Sequence, residues 1–170
     1  MTSPGTYSVD KLTAEARRLA AEYRRATGKT LPLSGEIAVN DAVRILGLER
    51  IEPATAGCDA LRRSKDGDQR LQIKGRVVFD GSKSAQRLGQ LKLDQPWDEL
   101  ILVLMNEDYE PTEIFAAARG VIEPELEKKS PNKRRAMPVA QFKIHAPCPW
   151  HAGRVYAAPA ARAAAAGAPH

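Results

Sequence analysis

The stretch Gly57-Cys58-Asp59-Ala60-Leu61-Arg62-Arg63-Ser64-Lys65-Asp66-Gly67-Asp68-Gln69-Arg70-Leu71-Gln72-Ile73-Lys74-Gly75-Arg76 decides the fold. Two β-compatible runs flank Lys65-Asp66-Gly67-Asp68, and Asp-Gly between such runs predicts a hairpin. The second run alternates. Leu71, Ile73, Val77 and Phe79 fall on one face and Gln72, Lys74 and Arg76 on the other, because strand side chains alternate with period two. An acid, Asp59, then stands opposite or beside a Gln-x-Lys pair on the neighbouring strand.

Working outward, residues 8–27 read as an amphipathic helix with Ser8 as N-cap, Gly28 as its stop, and Leu12, Ala16, Leu19, Ala20 and Tyr23 as its apolar face. A second helix runs from a Ser34 cap to Leu46, closed by Gly47, with a broad apolar face and Glu36 in its first turn. Residues 49–55 suggest a short strand, and the turn-rich, basic segment 80–96 a loop crossing the mouth of a site. The continuous apolar run Leu100-Ile101-Leu102-Val103-Leu104-Met105 is expected of a central strand covered on both faces. A turn at 106–111, a strand at 112–117, a short helix at 123–129 and a last element at 139–145 complete the pattern. Strands joined by tight turns between helices imply an α/β protein with a mixed sheet.

A chain of 170 residues with 43% apolar side chains can bury one sizeable core, so a single domain is expected. No run approaches the ~18 apolar residues of a membrane span. The first residues lack a signal-peptide pattern, and two cysteines fit a reducing cytosol, which makes a cytoplasmic protein the expectation. The net charge of +5 is strongly partitioned. Residues 60–92 carry nine Lys/Arg against three Asp/Glu, whereas residues 93–127 carry one Arg against ten acids. Residues 128–135 add five basic residues and no acid. A basic segment that coincides with the Asp/Gln-x-Lys constellation points towards nucleic acid.

Gly57-x-Asp59, a turn, then Leu71-Gln72-Ile73-Lys74 resembles the core of the PD-(D/E)xK nuclease superfamily, with Gln72 where the second acid usually stands. The resemblance spans roughly positions 34 to 118. It implies a restriction-endonuclease-like fold, a mixed central sheet flanked by helices, and Ser34-Gly35-Glu36 matches the helix that often carries a further acid. The organisation it implies is an N-terminal helix over 1–30 packed on a nuclease-like domain over 31–150, followed by an Ala/Pro-rich tail over 151–170 without the side chains for a core. The implied activity is hydrolysis of nucleic acid, DNA foremost, with Mg²⁺ or Mn²⁺ as cofactor. Glu36, Asp59, Gln72 and the backbone carbonyl of Ile73 are the implied metal ligands, and Glu36, Asp59, Gln72 and Lys74 the catalytic set.

Each residue type suits that chemistry. A hard cation takes oxygen ligands, which Asp59 offers as a carboxylate and Gln72 as a neutral amide. Lys74, on the face of Gln72, offsets negative charge developing on phosphate. Arg62, Arg63, Arg76, Lys83 and Arg87 are the candidate nucleic-acid contacts. Replacing a carboxylate by Gln72 weakens a cation site, so a catalytically inactive nucleic-acid-binding module on the same fold is the alternative. A homodimer is compatible with either; a membrane partner is not expected. Cys148-Pro149-Trp150-His151 has metal-compatible residue types but no second pair to complete a zinc site. Trp97 and Trp150 are candidate stacking surfaces for bases, although Trp97, after Pro96 and leading into an apolar strand, reads rather as core.

Overall fold

The computed structural model describes residues 8–55, 57–79, 86–128, 137–151 and 154–155, without the side chains of residues 53, 54, 154 and 155. Lys83, the basic run 133–135 and, of the tail expected over 151–170, residues 152–153 and 156–170 lie outside the described residues; His151, Arg154 and Val155 of that span instead belong to strands of the sheet. Helices α1 (Val9–Thr27) and α2 (Ser34–Leu46) lead into strands β1 (Glu49–Thr55), β2 (Cys58–Arg62) and β3 (Gln69–Val77). After a crossover come β4 (Glu99–Met105), β5 (Pro111–Ala118), α3 (Arg119–Glu127) and α4 (Val139–His145). Two short strands, β6 (Trp150–His151) and β7 (Arg154–Val155), end the series. The strands form one open sheet in chain order. Every neighbouring pair is antiparallel except β3 and β4. The protein is a mixed α/β single domain.

Parallel neighbours need a crossover over one face, and here the described residues of that crossover form a strap of loop. Its described part, residues 86–98, buries Leu88, Leu91, Leu93 and Trp97. These side chains form one core with Leu100, Leu102 and Leu104 of β4, Phe115, and Ile122, Leu126, Val139 and Phe142 of α3 and α4. The other core joins Ala20 and Ala21 of α1 and Ile37, Ala38 and Ala42 of α2 to Leu71, Ile73, Val77, Ile101, Val103 and Met105. The alternation read from β3 thus puts Leu71, Ile73 and Val77 in the core under α1 and α2 and turns Gln72, Lys74 and Arg76 to the opposite face, and helices lie on both faces of the sheet. Gly75 marks the closest approach of α2: a Cβ there would stand 2.5 Å from the Ala38 Cβ and 2.6 Å from the Ser34 carbonyl oxygen.

Helix α1 starts where expected, the Ser8 side chain accepting from the Lys11 N–H at 3.3 Å, and ends at Gly28 with φ 72°. Its rotation is a correction. Of the expected apolar face, Ala20 is buried as read, but Leu12, Leu19 and Tyr23 are exposed, and Ala21 is buried in their place. Polar anchors set the rotation. Arg17 forks onto the Asp41 carboxylate at 2.9 and 3.1 Å and also donates to the Tyr109 carbonyl, while Arg24 stacks over Phe79. Two small alanines between these arginines let the helix sit close. At the start of α2 the N-cap position is Leu33 rather than Ser34, and no side chain caps it. Helix α3 begins four residues before the expected start, at Arg119, and in α4 Phe142 is buried while Ile144 is exposed. Trp150 lies in the first core, against its expectation as a base-stacking surface.

Candidate functional site

Strand β2 pairs with β3 at Ala60–Leu71, Leu61–Arg70 and Arg62–Gln69. Ala60 and Leu71 share the α-helix side, so Asp59 and Gln72, one step beyond, project to the other side, together with Lys74. The backbone ladder stops at Ala60, and the Asp59 carboxylate continues it. Its Oδ2 accepts the Ile73 N–H at 2.7 Å. The N–H and C=O of one strand residue point the same way, so the Ile73 carbonyl lies on the Asp59 side, away from β4.

Gln72 is buried beside this carboxylate, 2% exposed. Its Nε2 lies 3.5 Å from the Gly57 carbonyl, at the limit of a hydrogen bond, and its Oε1 has no partner. Exchanging the amide atoms would set two oxygens against each other, so the orphan is the oxygen. Buried polar atoms are normally paired, and an orphaned one calls for an explanation. Lys74 is half-buried and forms neither hydrogen bond nor ion pair among the described residues. Burial pushes its ammonium below the usual lysine range; Asp59 opposes this, and Arg76 and Lys92 add to it. Asp59, Gln72 and Lys74 are therefore brought together, with partial solvent access at Asp59 and Lys74.

Glu36 is not part of that group. Its helix covers the opposite face of the sheet, and its exposed carboxylate accepts from Arg50 Nη2 at 2.7 Å. Arg50 registers against Ala60, whose side chain lies in the core under α2. The expected convergence of Glu36 on Gln72 is thus corrected by the register of β3, which turns Gln72 and Lys74 away from the helix.

Much of the basic character of residues 60–92 is spent inside the protein. Arg62 bonds to Glu99 and, at 3.1 Å, to Gln69. Arg63 holds Glu49 at 2.7 and 2.8 Å and also meets Asp68. Arg70 takes Asp98 through backbone and guanidinium, and that contact holds the Asp98 carboxyl below the usual range. Two of these acids, Asp98 and Glu99, belong to the acidic half of the sequence, so the charge partition folds back on itself. Among the described residues Arg76 has no acid partner: its Nε donates to the Arg87 carbonyl at 2.6 Å and its Nη1 to the Gly75 carbonyl. Arg87 is exposed beside it.

The strap supplies a feature that motif and periodicity do not reveal. Gly57 has φ 78°, and a Cβ on it would lie 2.5 Å from the Gln95 Cβ and 3.6 Å from Gln72 Nε2. The turn Lys92–Gln95 therefore packs on Gly57, whose carbonyl faces the Gln72 amide. The one sequence signal for it is Gly57 itself, a residue free to adopt positive φ where a neighbour presses close.

Among the described residues no three His, Cys, Asp or Glu side chains are grouped to hold a metal ion. What the hairpin offers a cation is one carboxylate, one orphaned amide oxygen and one strand carbonyl. That set is hard, all-oxygen and low in charge, which suits weak binding of Mg²⁺ or Mn²⁺ completed by water or phosphate. Cys58 and Cys148 are free thiols, both pushed up by burial. No described helix is long and apolar enough to cross a membrane. No protein-family model and no curated protein matches the sequence.

Proposed function

We propose that the protein is a metal-dependent nuclease, hydrolysing phosphodiester bonds of nucleic acid, DNA foremost, at Asp59, Gln72 and Lys74. The observation that carries this is the joint placement of a carboxylate, an orphaned amide oxygen and an unpaired ammonium on one face of the β2–β3 hairpin. The order helix, antiparallel three-strand meander, crossover and parallel strand supports a restriction-endonuclease-like fold.

Asp59, Gln72 Oε1 and the Ile73 carbonyl would hold the cation. When bound, the cation supplies Lewis acidity and a water of lowered pKa. Asp59 is tied to the Ile73 N–H and so presents its second oxygen in a fixed direction. Gln72 is buried, with its Nε2 turned to the Gly57 carbonyl, which leaves Oε1 as the free oxygen of the amide. The Lys74 ammonium lies where a phosphate oxygen would gain charge, in partly desolvated surroundings that strengthen the attraction. Arg76, held by two backbone carbonyls, anchors a further phosphate.

The test is incubation of duplex, single-stranded and branched DNA with the protein and Mg²⁺ or Mn²⁺. Chelator-sensitive cleavage is expected in the wild type. Asp59→Asn preserves an acceptor for the Ile73 N–H and loses activity to background, and Lys74→Met loses about 10²- to 10³-fold. The second reading, a module that binds without cutting, is favoured by one observation. With Glu36 tied to Arg50 and Gln72 neutral, Asp59 is the sole carboxylate of the set. Metal-independent binding with no cleavage of any substrate would select it; absence of both would remove both.

A further inference from the structure

We propose that the Lys92–Gln95 turn completes the site and that Lys92 is its second phosphate-binding cation, taking a phosphate of the same strand outside the one that Lys74 faces. This rests on the nuclease or nucleic-acid-binding reading above and adds a residue from a different element.

Three independent contacts hold the turn. The Lys92 carbonyl accepts the Gln95 N–H at 3.2 Å and the Trp97 indole N–H at 2.8 Å. Trp97 is 1% exposed, so the turn is pinned to the second core. Arg119 at the start of α3 closes it from outside, donating to the Gln95 carbonyl at 2.8 Å and to the Leu93 carbonyl. Arg119 in turn stacks on Trp97 and pairs with Glu123 at 3.1 Å. On its inner side Gln95 presses on Gly57, the residue whose carbonyl faces the Gln72 amide.

What the turn offers outward is charge. The Lys92 side chain is exposed and its ammonium makes no hydrogen bond or ion pair among the described residues, and its charge adds to the depression of the Lys74 ammonium. Its neighbour Asp94 is engaged by the Gln95 amide at 3.2 Å rather than by Lys92. The contrast with Arg62, Arg63 and Arg70 is direct, since those three are answered by acids of the chain. Two lysines from separate elements, one half-buried and one exposed, thus make no ion pair among the described residues, and an anion lying across them would answer both. A phosphodiester strand supplies anions at regular spacing, and contacts to phosphate fix register without reading sequence.

The experiment is metal-free binding of a short DNA duplex across a series of salt concentrations, for wild type, Lys92→Ala, Lys92→Arg and, as control, Lys65→Ala. Lys65 is exposed at the hairpin turn. Lys92→Ala is expected to lower the slope of log affinity against log salt by about one unit, as loss of one phosphate contact does. Lys92→Arg should keep the wild-type slope and Lys65→Ala should leave it unchanged. A salt-dependent wild type with an identical slope in Lys92→Ala would overturn this inference and spare the proposed function. An equal loss in Lys65→Ala would show diffuse attraction and also overturn it. A wild type that binds no DNA at low salt would remove the proposed function and this inference with it.

Discussion

Among the described residues two polar side chains, Asp41 and Gln72, are buried, on opposite sides of the sheet. Asp41, fully buried on α2, is answered at every turn: Arg17 grips both of its oxygens, and Arg44 reaches it at 3.4 Å. Gln72, on the opposite side of the sheet, has one weak contact and an orphaned oxygen. A satisfied polar group under a helix pair serves the fold; an unsatisfied one beside an unpaired lysine points to something the site takes up. Both cost desolvation, and only the first recovers it within the chain.

Breaking the first member should cost the most. Asp41→Ala leaves Arg17 without its carboxylate between α1 and α2, and unfolding in denaturant should show a loss of about 3 kcal/mol, the lower end for removing one partner of a buried pair. Nucleic-acid binding measured well below the new transition should be unchanged. A loss under 1 kcal/mol would mean that solvent already screens the pair.

The second member should respond with the opposite sign. Gln72→Met removes an amide whose oxygen is unpaired, so in metal-free buffer it should raise stability by about 1 kcal/mol, the lower end of the cost of an unsatisfied buried group. The same substitution should abolish any metal-dependent cleavage. Destabilisation instead would show that the contact with Gly57 is a full hydrogen bond and that Gln72 belongs to the fold.

A smaller effect separates Lys74 from ordinary surface lysines. Its pKa is held below the unfolded value, so folding disfavours its charged form. The resulting penalty is present below the folded pKa and is relieved as pH rises from that value towards the ordinary lysine value of about 10.4. Lys74→Met should therefore melt slightly higher than wild type at neutral pH, and the gap should narrow as pH rises through the lysine range. A gap constant with pH would attribute the difference to packing alone.

Periodicity made the sheet legible and left the helix rotation hidden. The alternation Leu71, Ile73, Val77 against Gln72, Lys74, Arg76 follows from strand geometry alone, and it sorted these residues correctly between the core face under α1 and α2 and the opposite face. In α1 the same logic picked Leu12, Leu19 and Tyr23, because a helix normally buries its apolar stripe. The ion pair of Arg17 with Asp41 and the seat of Arg24 on Phe79 turned the helix instead, and neither pairing has a sequence signature across such separations. Gly57-x-Asp59 and Gln72-x-Lys74 were legible as a cluster, since hairpin register brings them together. Glu36 was not, because the face a helix covers depends on how the crossover runs. Lys92 escaped for a similar reason: its position comes from Trp97 and Arg119 clamping a loop that has no periodicity of its own.

The most direct test of the Asp59–Gln72–Lys74 site is a calorimetric titration with Mn²⁺ of wild type, Asp59→Asn and Gln72→Glu, each first shown to be folded. Weak binding is expected in the wild type, none in Asp59→Asn, and binding tightened about tenfold in Gln72→Glu, where an anionic oxygen replaces a neutral one at the same place. Equal affinities in all three proteins would contradict the account, and the β2–β3 hairpin would then be no metal site.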